Sequence, residues 1–169
     1  VSCPNVVGLT ALQDITFLGE IVDKLLDLRM YYDTYKPILL KVSPDLAHQQ
    51  LDEIIDYCLR SGIDGIVAGN TTRSREGITS ISKEKIEAIG NGGMSGAPLH
   101  KKNLELVKYV HTRSEGKLPI IGVGGIMTPE QAKAMLDAGA SLVEIYTGFV
   151  YEGPALIKNI IKYLETAGK

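Results

Sequence analysis

Cysteine is scarce in this chain: Cys3 and Cys58 are the only two, and their spacing builds no disulfide framework. That excludes a stapled secreted scaffold and reads as reduced, cytosolic thiols. Tryptophan is absent, and there is no low-complexity stretch and no linker. An excess of either charge is also missing, since the formal net charge is −2. No basic field therefore offers itself to nucleic acid or to an anionic membrane. No apolar run approaches the roughly 20 residues of a transmembrane helix. The opening VSCPN carries neither a methionine nor a signal peptide. It reads as the tail of a strand, in a piece of a longer protein.

What remains is an ordinary globular composition. At 169 residues and 44% hydrophobic, the chain holds one domain's worth of core. Phe17, Leu18, Ile21, Val22, Leu25 and Leu26 recur at helical spacing and predict a helix over 14–29. The run 37–42 (PILLKV) reads as a strand turning at Ser43-Pro44-Asp45. A helix over 47–61 follows, with Gly62 as its left-handed stop. The strand over 63–68 ends in Gly69-Asn70-Thr71-Thr72, and the polar, glycine-rich stretch 73–100 is too long for an ordinary strand-to-helix loop. A helix over 101–114 precedes the strand 119–124, and Thr128-Pro129-Glu130-Gln131 is a capping box that opens the next helix. That helix stops at Gly139. The strand 142–147 and a helix striped by Ala155, Leu156, Ile160, Ile161 and Leu164 complete the order.

Strict strand–helix alternation implies a parallel sheet covered by helices. The choice lies between a doubly wound sheet and part of a (β/α)8 barrel. A dinucleotide fold would need G-x-G-x-x-G after its first strand, and none is present. The notable residues instead sit at the C-terminal end of every strand, as in a barrel whose site is built from its strand-to-helix loops. A complete barrel takes about 250 residues. The expectation is therefore a single partial α/β domain over 1–169: the C-terminal part of a (β/α)8 TIM barrel, from the end of strand 4 through helix 8.

Those strand ends collect a candidate site. Gly124-Gly125 and Tyr146-Thr147-Gly148 end adjacent strands. In a barrel these are the usual phosphate-binding loops, although the glycines could instead serve only tight turns. Lys41 interrupts an otherwise apolar strand, and burying its charge is costly unless it meets an anion. Asn70-Thr71-Thr72 supplies an amide and hydroxyls for a small polar ligand. The 92–96 loop (GGMSG) suits a phosphate or a lid. Cys3 is either a reactive thiolate or a small buried residue, and Cys58, on an apolar helix face, reads as core. His48, His100 and His111 share no metal-ligand spacing, so no metal site is expected.

The series SCPN…LLKVSPDL…NTT…GGMSGAPL…PIIGVGGI…AGASLVEIYTGF…GP resembles dihydroorotate dehydrogenase, specifically its quinone-linked class, over nearly the whole chain. The resemblance implies FMN at the barrel mouth. Its phosphate would fall on Gly96, Gly124, Gly125, Tyr146 and Thr147, with Ser95 bordering the same loop. Lys41 matches the lysine beside the flavin ring. Asn5, Asn70 and Thr71 match groups that hydrogen-bond the pyrimidine and its carboxylate, and Cys3 falls on the catalytic base. Quinone-linked members usually carry serine there, but a thiol, with a reference pKa of about 8.5, is the more readily ionised base. Gly69 stands where relatives often have a hydroxyl residue near the flavin.

The partners implied are dihydroorotate and orotate, quinone, and an N-terminal half of the same barrel that supplies further flavin and substrate contacts. The resemblance also implies a place on the cytoplasmic side, peripheral to the membrane through that N-terminal region. Alone, the segment is expected to expose apolar faces, to self-associate and to be inactive. Three other readings fit part of the pattern. One is another FMN barrel oxidoreductase, one a flavin-free phosphate-sugar barrel, and one a barrel fragment without catalytic function.

Overall fold

The computed structural model describes residues 9–76, 78 and 81–167. Four strands form one parallel sheet in chain order: β1 (Leu39–Val42), β2 (Gly65–Ala68), β3 (Ile120–Val123) and β4 (Leu142–Glu144). Lys41 pairs with Val67, Val67 with Ile121, and Ile121 with Leu142 across the sheet. Sequential order with no reversal is the winding of a barrel, whereas a doubly wound sheet reverses at its switch point.

The helices are α1 (Ile15–Arg29), α2 (His48–Ser61), α3 (Lys83–Ile89), α4 (His100–Arg113), α5 (Pro129–Asp137), α6 (Thr147–Glu152) and α7 (Pro154–Ala167). Their start and stop signals behave as the residues predict. Asp14 caps α1, the Thr128–Gln131 box caps α5, and Gly62 ends α2 at φ 80°. Ile54 and Ile55 of α2, Val107 and Val110 of α4, and Met135 of α5 are buried in one core with Val42, Ile66 and Ile120 of the sheet. Each such side chain contributes about 1.5–3 kcal/mol of burial. Cys58 belongs to this core, and burial pushes its thiol up to about 12, so it is inert.

The other face of the sheet is open at its two outer strands. Leu39 and Lys41 of β1 and Leu142 and Glu144 of β4 are exposed, while their neighbours Leu40 and Val42 point into the helix layer. The expectation that Lys41 is a buried charge is therefore corrected. Strand alternation turns it to the sheet face that no described element covers.

Two further details depart from the sequence reading. The 73–100 stretch contains a helix, α3, capped by Ser82, whose hydroxyl accepts from the Lys85 amide. No residue of α3 is buried, so no apolar stripe announced it. The last strand ends at Glu144, and Thr147 opens α6 instead of closing the strand. The strand tail expected at the start of the chain lies outside the described residues.

At the opposite end of the sheet, Asp64 ties α1 to the start of β1. Its Oδ2 accepts from the Ile38 amide at 2.6 Å and from Arg29 Nη1 at 2.7 Å, and Oδ1 accepts from the Tyr35 hydroxyl. Burial alone would raise the Asp64 pKa, but the hydrogen bonds from Tyr35 and Ile38 and the Arg29 charge hold it below the usual carboxylate range. With a depressed folded pKa, the stability is fully present above the unfolded value, about 3.9, and is lost as pH falls through the folded one. Asp64→Asn is expected to lower stability by about 1–2 kcal/mol at pH 7 and by less at pH 3, measured by urea denaturation. An equal loss at both pH values would refute this.

Candidate functional site

The C-terminal ends of the four strands surround a cavity of about 460 Å³, a size typical of small-molecule and cofactor sites. Lys41 enters from β1. Asn70 and Thr71 follow β2, Ser95 and Gly96 come from the glycine loop, Gly124 and Gly125 follow β3, and Tyr146 and Thr147 follow β4. Nine of the eleven candidate residues thus line one cavity, although up to 106 positions separate them along the chain. Cys3 and Asn5 lie outside the described residues.

Backbone and side-chain ties set this geometry. Asn70 Oδ1 accepts from the Thr71 amide at 2.8 Å, fixing the pair as a unit. Thr72 and Met94 form an isolated antiparallel bridge, with N–H···O distances of 3.1 and 2.8 Å, that joins the β2 loop to the glycine loop. Arg75 reinforces the joint by donating to the Thr72 and Gly90 carbonyls at 3.2 and 3.3 Å and to the Gly92 carbonyl. The Thr147 hydroxyl donates to Ser95 Oγ at 3.1 Å, bringing the glycine loop against the start of α6. A Cβ on Gly96 would sit 3.2 Å from Thr147 Cγ2, so this approach is already close.

The sequence reading missed two residues here. Glu144, the carboxylate of β4, lines the cavity with Lys41. Its signal was strand alternation, which sends it to the same face as Leu142. Asn103 is fully buried, and its Nδ2 donates to the Val123 carbonyl at 2.6 Å. It lies beneath both Gly69 and Gly124: a Cβ on either would strike its Nδ2. Its signal was a polar residue on the apolar stripe of α4, in step with Leu106, Val107 and Val110. A Cβ on Gly69 would also strike the Val123 carbonyl, so packing against the β3 end accounts for the missing hydroxyl side chain. His100 is partly buried, and burial lowers its pKa, leaving a neutral imidazole near the cavity at neutral pH.

The residues fit a flat aromatic cofactor carrying an anionic tail. Leu99, Val123, Ile126 and Ile145 give apolar walls, and the side-chain-free backbones of Gly96, Gly124 and Gly125 admit close approach. Lys41, which pairs with nothing among the described residues, supplies the positive charge. Among those residues no three His, Cys, Asp or Glu side chains converge to hold a metal.

Four parallel strands wound in sequence, with the candidate residues gathered at the strand ends, define part of a (β/α)8 barrel. Comparison with known proteins narrows that class. The family profile described as Dihydroorotate dehydrogenase matches residues 1–167, and the chain belongs to this family. It is 44% identical over 158 residues to "Dihydroorotate dehydrogenase (quinone)" of Salinispora arenicola, covering 94% of this chain and 44% of that protein. It is 47% identical over 160 residues to the protein of the same name from Christiangramia forsetii, covering 95% and 46%. The fold superposes on the crystal structure of ligand-free DHODH from Eimeria tenella with a TM-score of 0.87 at 30% identity, covering 99% of this chain and 50% of that one. The chain spans about half the length of the curated relatives it matches. No described helix is long and apolar enough to cross a membrane.

Proposed function

We propose that this chain is the C-terminal half of a quinone-linked dihydroorotate dehydrogenase, which oxidises (S)-dihydroorotate to orotate in pyrimidine (UMP) biosynthesis. The observation that carries the proposal is the convergence of Lys41, the Asn70–Thr71 pair and three glycine-bearing loops on one cavity. FMN, when bound, would supply the hydride acceptor and the link through which electrons reach quinone. Ser95, Gly96, Gly124, Gly125, Tyr146 and Thr147 hold its phosphate side through hydroxyls and accessible backbone amides. Lys41 places a fixed positive charge on the inner wall, where developing negative charge is stabilised. Asn70 and Thr71, with Asn5, orient the pyrimidine by hydrogen bonds to its polar edge. Cys3 removes the proton from the ring carbon next to the one that gives up hydride, so loss of a proton and a hydride together makes the double bond of orotate.

An N-terminal half completes the barrel in this reading. The apolar groove beside β4, lined by Leu142, Ile145, Phe149, Ile157 and Leu164, is available to it. The isolated segment is accordingly inactive and prone to self-association. The full-length protein sits on the cytoplasmic side, peripheral to the membrane through its N-terminal region.

The test is to purify the full-length protein without oxygen and record its flavin absorption before and after adding dihydroorotate. Bleaching of the visible band is expected. A flavin band that dihydroorotate leaves unchanged would point to another FMN barrel. Protein that neither contains flavin nor takes it up would refute the cofactor assignment.

A further inference from the structure

We propose that Asp45 is a positioning residue for the pyrimidine side of the cavity, acting through Thr72 on both the Asn70–Thr71 pair and the Met94–Ser95 wall. The proposal rests on the function assigned above and deepens it. Asp45 does not line the cavity. It lies on the loop after β1, where its own amide donates to Ser43 Oγ at 3.2 Å. Its carboxylate collects donors from two other elements. Oδ1 accepts from the Thr72 hydroxyl at 2.6 Å and from Lys102 Nζ of α4, and Oδ2 accepts from the Arg73 amide at 2.8 Å. Lys102 Nζ also reaches Thr72 Oγ1 at 3.3 Å.

Thr72 is the point through which this grip is transmitted. It is buried, follows Asn70 and Thr71 directly, and carries the two-way backbone bridge to Met94. Its hydroxyl oxygen also accepts from the Ser74 amide at 3.0 Å. One carboxylate outside the cavity therefore fixes two of its walls. Only a carboxylate can do so, because both oxygens must accept. An amide has one accepting oxygen, and its nitrogen would meet a donor whichever way it is turned. Burial alone would raise the Asp45 pKa, but the hydrogen bonds from Lys102, Thr72 and Arg73 hold it below the usual carboxylate range, so the accepting form persists at neutral pH. The carboxylate and the Lys102 ammonium are both about one-third exposed, with side-chain exposures of 29% and 38%. An ion pair so placed adds little to stability, and the consequence of losing it lies in loop geometry.

The experiment uses the FMN-loaded full-length protein with Asp45→Asn, Thr72→Val and the double variant. Orotate affinity is read from the shift of the flavin spectrum, alongside kcat, KM for dihydroorotate and the melting temperature. Asp45→Asn is expected to weaken orotate and to raise KM about tenfold, the worth of one hydrogen bond to a charged group. Flavin content should fall less than orotate affinity, since Gly124, Gly125, Tyr146 and Thr147 of the phosphate side stand on loops that Asp45 does not touch. The double variant should be no weaker than the weaker single variant, because both changes break the same hydrogen bond. Unchanged orotate affinity in Asp45→Asn, or losses that simply add, would overturn the proposal. If Asp45→Asn does not fold, Thr72→Val decides alone, and unchanged orotate affinity there overturns it equally. Wild-type protein that dihydroorotate does not bleach would refute the assigned function instead, so the two failures are distinguishable.

Discussion

Gly125→Ala is expected to destabilise the protein by about 2–5 kcal/mol, a large share of the roughly 5–15 kcal/mol that holds a domain folded. Gly125 has φ 74°, a left-handed conformation that a side chain adopts only at a cost. The greater cost is steric. The added Cβ would land on the backbone of His100, striking its amide nitrogen and lying 2.5 Å from its Cα. No rotamer change relieves that contact, because the obstacle is main chain at the start of α4. Either the start of α4, which directly follows Leu99 of the cavity wall, or the loop after β3, which carries Gly124, Gly125 and Ile126 of that wall, must move. Gly62→Ala separates the two causes. Gly62 has a similar φ of 80°, but a Cβ there meets no atom within 4 Å, so only the conformational cost, about 1–2 kcal/mol, is expected. Urea denaturation of the two variants measures the difference, and equal losses would show that the approach of α4 to β3 is looser than described. Gly125→Ala is also expected to purify with depleted flavin.

Asn103→Asp is the second large effect, expected at about 3–5 kcal/mol at pH 7. The native amide is fully buried and donates to the Val123 carbonyl. The replacement has the same shape but, when ionised, no donor. It sets a carboxylate against a carbonyl oxygen where no cation among the described residues offers a partner. Among those residues the native Oδ1 already lacks a hydrogen-bond partner, so the surroundings are not arranged to receive negative charge. The variant should therefore prefer to fold with the new carboxyl protonated, when its O–H can replace the lost N–H donor. The sign of the pH dependence follows. A carboxyl whose folded pKa is raised binds more protons folded than unfolded, so its penalty is small below about pH 4 and grows as pH rises above the unfolded value. Denaturation at pH 4 and pH 7 should show the variant close to wild type at the lower pH and far below it at the higher. A pH-independent difference would mean that water reaches Asn103.

Much of this architecture was legible because the signals are local. Helical spacing, the Thr128–Gln131 box and the Gly62 stop are written within a few residues, and the structure places α1, α2, α4 and α5 within one or two residues of those signals. Alternation within β1 could have shown that Lys41 shares a face with Leu39. What it could not show is that this face is uncovered. Burial depends on what packs opposite, and that is not encoded in a strand of four residues. The helix α3 escaped notice for the related reason that it buries nothing.

The sequence by itself determined the alternation of the four strands with their packed helices, the parallel winding and the residues that gather near the strand ends. Each follows from propensity, period and turn chemistry acting over a few positions. Only the tertiary structure decided what those residues meet. Asp45 reaches Thr72 across 27 positions and Lys102 across 57, and Asn103 reaches Val123 across 20. None of these partners is announced by a local pattern. They meet because a parallel sheet carries successive strand ends to the same side, and α4, packed across β2 and β3, brings its first turn up to them.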